Sequence, residues 1–255
     1  MKPRPTFPAR IGTVTTSRHI GAKPHAHALA ADARPQGLGL DSAAHRQRMV
    51  QLLQKQGVTD AAVLQAMGTV ERHRFVDSAL VNQAYEDTSL PIGLAQTISK
   101  PGVVARMVEL LRNGLAGKLG RVLEIGTGCG YQAAVLSHLA CEVYSMERLR
   151  GLHDKARDNL RPMRLATVHL LFGDGRLGYA KGAPYSGIIA AAGGEAVPQA
   201  WIDQLAVGGR LVAPVQLAAP MDGAQALLVL DKTPTGIRQN MLEPVNFVPL
   251  KSGVA

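Results

Sequence analysis

A chain of 255 residues, 46% hydrophobic but only 4% aromatic, is long enough to bury one sizeable α/β core of Val, Leu, Ile and Ala without disulfide staples. No run approaches the roughly 18 apolar residues of a membrane span, and Cys129 and Cys141 form neither a CxxC pair nor a metal-like cluster, so we expect a reduced, cytoplasmic protein with no membrane partner and no metal site. The formal net charge is +9, but residues 1–40 hold six basic side chains against the single acid Asp32, so the rest of the chain carries a mild surplus and gives no charge-based case for a nucleic-acid partner.

In chain order, residues 1–40 contain Pro3, Pro5, Pro8, Pro24 and Pro35 and no apolar periodicity. This composition predicts a disordered basic extension ahead of a folded domain over residues 41–255. A targeting signal is the sharper alternative, but there is no secretory apolar region, and the prolines spoil an amphipathic presequence helix. From Asp41 the spacing of Met49, Leu52 and Leu53 predicts a helix ending at Gly57. A second helix follows, capped by Thr59 or Asp60 and buried through Val63, Leu64 and Met67. The charged segment ERHRFV reads as a turn, and Tyr85 to Ser99 reads as a loop rich in Pro, Gly, Thr and Ser. Pro101 suits the first turn of a helix through VVARMVELL.

Strand and helix patterns then alternate. Arg121 to Ile125 is a strand, Tyr131 to Leu139 a helix, CEVYSME a strand, GLHDKARDNLRPM a helix, TVHLLFGD and YSGIIAAA strands, PQAWIDQLAV a helix, and RLVAPV a strand. That rhythm predicts an α/β fold with a doubly wound, mostly parallel seven-stranded sheet. Residues 41–100 would form helices and a substrate loop, 101–215 a cofactor-binding core, and 216–255 an antiparallel pair at the sheet edge.

In VLEIGTGCGYQ, Gly126, Gly128 and Gly130 let backbone N–H groups approach a ligand at the start of a helix. A dinucleotide fingerprint would need a third glycine at position 131, which is Tyr131. Three acids, Glu124, Glu147 and Asp174, fall at or beside successive strand ends, where ligands bind in open α/β sheets. Each alone could be a solvated strand-end carboxylate, but a carboxylate at Glu147 could also accept bonds from two ribose hydroxyls. Cys129 reads as a small side chain in a tight turn, because no histidine is placed by sequence to activate it.

The ExGxGxG loop resembles that of class I S-adenosylmethionine-dependent methyltransferases. Upstream, Tyr85, Asp87 and LPIGLAQTISKP closely resemble the signature of protein-L-isoaspartate O-methyltransferases, as do RHRFVD, GDGRLGY, APYSGII, the run from Pro198 to Val215, and VNFVPL. The resemblance spans about residues 41 to 250. It implies S-adenosyl-L-methionine as cofactor, S-adenosyl-L-homocysteine as product, isoaspartyl proteins and peptides as partners, and a monomer. It also implies that Thr97, Ile98, Glu124, Gly126, Thr127, Gly128, Glu147, Arg148, Asp174 and Gly175 bind the cofactor, with Glu124 near its methionine part and Asp174 against its adenine. By the same resemblance Ser99 is the active-site serine, Asp87 braces the loop, and Pro214 and Val215 grip the substrate peptide through a strand edge. Ser99 could equally be a helix N-cap, and Asp87 a turn or cap residue. Gln216 and the Gly193–Gly194 turn depart from the usual family pattern. A different class I methyltransferase, acting on a small molecule or RNA, would share the cofactor loop but has no reason to carry LPIG and QTIS.

Overall fold

The computed structural model describes residues 43–217 and 224–255; the expected extension over residues 1–40 lies outside them. Helix α1 (Ala43–Lys55) buries Met49 and Leu53, one turn apart on one face. Leu52, expected on that face, is instead 39% exposed. In α2 (Ala61–Thr69) the cap is Asp60, whose Oδ1 accepts from the N–H groups of Ala62 at 2.9 Å and Val63 at 3.2 Å. Its other oxygen pairs at 2.7 Å with Nε of the buried Arg112, while Arg112 donates its remaining nitrogens to the carbonyls of Leu115 and Gly117.

Two stretches expected to be irregular have regular structure. Arg72–Phe75 is a short 3-10 helix whose first residue is fully buried, so the charged segment is not a surface turn. Within the expected loop, β1 (Leu90–Gly93) and β2 (Gln96–Ile98) form an antiparallel hairpin. Its strands are too short for a periodic signal, which explains why composition pointed to a loop. Pro101 opens α3 (Pro101–Arg112) as expected.

The main sheet follows. Strands β3 (Leu119–Ile125), β4 (Ala140–Glu147), β5 (Val168–Phe172), β6 (Tyr185–Ala190) and β7 (Leu205–Gln216) are parallel; β8 (Gln225–Thr233) and β9 (Gly236–Val245) run antiparallel. The order β5-β4-β3-β6-β7-β8-β9 bears out the doubly wound reading and the antiparallel edge. Helices α4 (Tyr131–Leu139) and α5 (Arg150–Leu160) carry two crossovers. The third helix, α6 (Gln199–Gln204), has only six residues. Leu205 to Val207, expected to be helical, belong to β7, because Leu205 already pairs with Tyr185 of β6. The chain winds from β3 toward β5 and then returns to place β6 on the other side of β3. Such a reversal opens a crevice at the carboxyl ends of these strands.

Asp60 holds a helix cap and a buried cation together, so Asp60→Ala should lower the unfolding free energy by about 3–5 kcal/mol, mostly by stranding Arg112. Urea denaturation that moves by under about 1 kcal/mol would show that the neighbouring carbonyls suffice for the guanidinium.

Candidate active site

The loop after β3 is built on backbone that side chains rarely adopt. Gly126, Gly128 and Gly130 have φ of 90°, 56° and 92°, and a Cβ on Gly128 would stand 3.2 Å from Cδ1 of Ile92. The loop is therefore glycine-rich for two reasons, conformation and the closeness of the hairpin above it. Glu147 at the end of β4 fixes the loop from the neighbouring strand. Its Oε2 accepts the Gly128 N–H, and its Oε1 accepts those of Arg148 and Leu149, all at 2.9 Å. A carboxylate has about four acceptor positions, so one is left toward the cavity that Glu147 lines. Cys129 is buried, which pushes its thiol pKa up, and its carbonyl accepts from Nδ2 of Asn159. It is an inert turn residue.

Glu124 is fully buried beneath this loop. Burial pushes its pKa up to about 8, against the pull of a hydrogen bond from Ser145. Ser145 Oγ in turn meets Oγ1 of Thr127 at 2.7 Å, and Thr127 lines the cavity. Glu124 thus reaches the cavity wall through two hydroxyls and is not itself exposed there. Gln132, the second residue of α4, also lines the cavity, and its side chain lies beside Glu124, whose pKa it lowers.

The hairpin forms the opposite wall. Its turn residues Leu94 and Ala95 both have positive φ, 52° and 55°, the geometry of a two-residue hairpin turn that normally selects Asn and Gly. Non-glycine residues held there cost on the order of 1–3 kcal/mol each and cluster at functional sites. Lys155 of α5 donates to the Ile92 carbonyl at 2.8 Å and ties the hairpin to the cofactor side. Behind the hairpin, Asp87 Oδ1 accepts the Gly102 N–H at 2.6 Å, and Oδ2 accepts from Gln56 at 3.1 Å. Asp87 therefore braces the start of α3. The N-cap of α3 is Lys100, without a side-chain cap, so Ser99 is not spent on capping.

Two spaces meet at this hairpin. A cavity of about 350 Å³ is lined by Thr97, Ile98 and Ser99, by the glycine loop, and by Glu147, Arg148 and Gly175. An adjoining groove of about 400 Å³ runs between Ser89, Lys100 and Val103 on one side and Pro244 to Val248 on the other. Thr97, Ser99, Ala191 and Val248 border both.

Most residues anticipated from the sequence thus come together, and five do not reach either space. Asp87 braces from behind, and Glu124 acts through Ser145 and Thr127. Pro214 and Val215 are buried within β7, paired with Leu227 and Ala226 of β8, with Val215 also bridged to Gly194. The expectation of a free strand edge there is corrected: β7 is an interior strand. The groove wall is instead residues 244–248, all but the first within the VNFVPL match to which the sequence assigned no role. Asp174 is also off the cavity wall. Its Oδ1 accepts the Arg176 N–H at 2.8 Å and its Oδ2 the Gly253 N–H at 2.6 Å.

Known proteins resemble this arrangement throughout. The family model described as protein-L-isoaspartate(D-aspartate) O-methyltransferase matches residues 44–255. A protein-L-isoaspartate O-methyltransferase from Methylibium petroleiphilum is 56% identical over 264 residues, covering 99% of this chain and 97% of the relative. One from Leptothrix cholodnii is 60% identical over 221 residues, covering 86% and 77%. A solved protein-L-isoaspartate O-methyltransferase superposes with TM-score 0.73 at 29% identity over 82% of this chain and 67% of that one. A Plasmodium falciparum structure in complex with S-adenosyl-L-homocysteine shares the fold, with TM-score 0.70 at 22% identity over 81% and 98%.

Glu124 gives the site a pH signature. With a native pKa of about 8 against about 4.3 in the unfolded chain, the folded protein holds a proton that the unfolded chain lacks between those values. The associated stability is complete below the unfolded pKa and is lost as pH rises through the folded one, at up to about 1.4 kcal/mol per pH unit. Glu124→Gln has no proton to lose. Between pH 5.5 and 8, urea unfolding should shift by roughly 3 kcal/mol in favour of the variant relative to wild type. Parallel pH dependences would mean that native Glu124 is ionised.

Proposed function

The chain belongs to the protein-L-isoaspartate(D-aspartate) O-methyltransferase family, and from that premise we infer that it transfers a methyl group from S-adenosylmethionine to the free α-carboxylate of L-isoaspartyl residues in damaged proteins. The ester then closes spontaneously to a succinimide, whose hydrolysis regenerates some normal aspartate. The observation that carries this reading is the shared border of cavity and groove at Thr97, Ser99, Ala191 and Val248. Cofactor and acceptor can meet there.

The cavity suits the cofactor. Its volume of about 350 Å³ falls within the roughly 300–1,000 Å³ of small-molecule sites, and the glycine loop lets backbone donors approach. When bound, S-adenosylmethionine supplies an electrophilic methyl group on a sulfonium. Glu147 would hold its ribose, and Thr97, Ile98, Thr127, Gly128 and Arg148 would enclose the remainder.

An isoaspartyl α-carboxylate, with pKa near 3.9, is already more than about 99% ionised at neutral pH. No group in the chain need remove a proton, so the protein's task is alignment and exclusion of water. Good orientation can contribute up to roughly 7–11 kcal/mol. Ser99 is half-buried at the junction, and the described residues place no histidine on either wall. We assign its hydroxyl to orienting the acceptor carboxylate, as a donor and not a nucleophile. The groove segment Pro244 to Val248 would receive the peptide. Residues 41–255 make up the catalytic domain, and the protein acts as a cytoplasmic monomer on large and varied targets.

A small-molecule or RNA acceptor is not favoured, because the family match extends across the hairpin and groove as well as the cofactor loop.

Labelled S-adenosylmethionine with matched isoaspartyl and aspartyl peptides tests the reading. Base-labile label on the isoaspartyl peptide alone is expected; equal labelling of both, or of neither, would overturn it. A hydrogen bond to a charged group contributes about 1.5–3 kcal/mol, so Ser99→Ala should lower kcat roughly 10- to 200-fold. Total loss of turnover in a well-folded variant would contradict a purely orienting serine.

A further inference from the structure

The acceptor groove is walled by apolar and neutral polar groups with one exception. Among the described residues that line it, only Lys100 carries a charged side chain. Lys100 follows Ser99 directly in the QTISKP segment, but the two residues stand in different places. Ser99 borders both cavity and groove, whereas Lys100 lines the groove alone. The groove's positive charge is thus set off from the point where cofactor and acceptor meet, on the path of the peptide that carries the acceptor.

The neighbouring acids do not use this charge up. Nζ of Lys100 lies 4.0 Å from Asp87 Oδ2, the limit of an ion pair, and the lysine side chain is 47% exposed. The Asp87 oxygens are already engaged by the Gly102 N–H at 2.6 Å and by Gln56 at 3.1 Å. An exposed pair at such a distance contributes little, and an ammonium has three donors to offer. On the opposite wall, Glu243 precedes Pro244 but is held by Nε of Arg106 at 2.7 Å. The backbone of Lys100 is fixed independently of its side chain. It is the N-cap of α3, its carbonyl accepts the Val104 N–H at 3.2 Å, and its side chain makes no cap bond. Substitution there changes the charge in the groove and leaves the start of the helix as it is.

We propose that Lys100 is a specificity-determining residue of the acceptor groove, which selects isoaspartyl sites flanked by an acidic residue over those flanked by a basic one. The proposal rests on the isoaspartyl reading of the site. Ser99 at the border orients the carboxylate that is methylated; Lys100, further along the groove, meets the side chain next to it. A carboxylate on that neighbour can accept a charge-assisted hydrogen bond from the ammonium, and a basic neighbour is repelled. A charge at the margin of a binding surface acts on encounter and binding, and salt weakens it. The selection therefore falls on KM, because the interaction is the same before and during methyl transfer. A half-exposed lysine grades substrates in this way without making any flanking residue obligatory.

Isoaspartyl peptides that differ only in the residue before or after the isoaspartate, set to Glu, Gln or Lys, test this with the full-length protein. At one of the two flanks, kcat/KM of wild type should be about tenfold higher for the Glu peptide than for the Lys peptide, with the difference in KM and not in kcat. The ratio should fall below about twofold in about 1 M salt and in Lys100→Gln, and it should invert in Lys100→Glu. Each ratio is taken within one protein, so a general loss of activity or stability cancels. The same ratio in wild type and Lys100→Glu would overturn the proposal, as would a loss in Lys100→Gln that is equal for all peptides. Dissociation constants of the same peptides from the S-adenosylhomocysteine complex should follow the same order. If wild type binds the peptides in that order and methylates none of them, the functional reading fails and the groove assignment stands. If it methylates all of them alike, the functional reading stands and the assignment to Lys100 fails.

Discussion

Arg72 is fully buried, yet its guanidinium is met by carbonyls and a ring in place of a carboxylate. Nε donates to the Ala84 carbonyl at 2.8 Å and NH2 to that of Thr88 at 3.4 Å, while the planar head lies 4.8 Å above the ring of Tyr131. Burial pulls its pKa below the usual arginine value, but a guanidinium stays charged through any physiological range. Breaking such an arrangement strands a charge in the core, so it is costly to open. Tyr131 begins the cofactor helix, and Ala84 to Thr88 lead into the hairpin. One side chain therefore couples the acceptor wall to the cofactor wall.

The other braces act on the same two bodies. Asp87 fixes the start of α3, Lys155 holds the hairpin from α5, and Glu147 holds the glycine loop from β4. None of them need perform acid or base chemistry. Methyl transfer to an ionised carboxylate is limited by alignment, and alignment is a property of how well the walls are fixed to each other. Strain in the Leu94–Ala95 turn is sustained by these surrounding contacts. Charge is managed by the same economy: Glu124 beneath the loop is held as a neutral acid at ordinary pH by burial, so the floor of the site carries a hydroxyl network and no fixed negative charge.

Much of this was readable from residue order. Pro101 at the head of α3, Asp60 before α2, the glycines after β3 and the two strands near the end with no helix between them all announce their structure locally, because capping, turn geometry and alternation depend on nearby residues. What escaped notice depends on distant ones. The hairpin strands of four and three residues are too short to show a period, Arg72 looks like any surface arginine, and Leu205 joins a strand because Tyr185 is there to pair with it. The assignment of Pro214 and Val215 to a peptide edge failed for the same reason, since only sheet order reveals that β8 covers that edge.

The sequence alone determined the fold class, the cofactor loop and the QTIS segment before it, since these rest on local backbone preference and on a pattern of residue types. Tertiary structure decided which carboxylates face the cavity. Glu147 ends β4, Glu124 stands one residue before the end of β3 and Asp174 two residues beyond β5; the first lines the cavity, the second is buried beneath it as a neutral acid, and the third holds residue 253. Their roles differ because burial and bonding partners come from strands and segments far away in the chain.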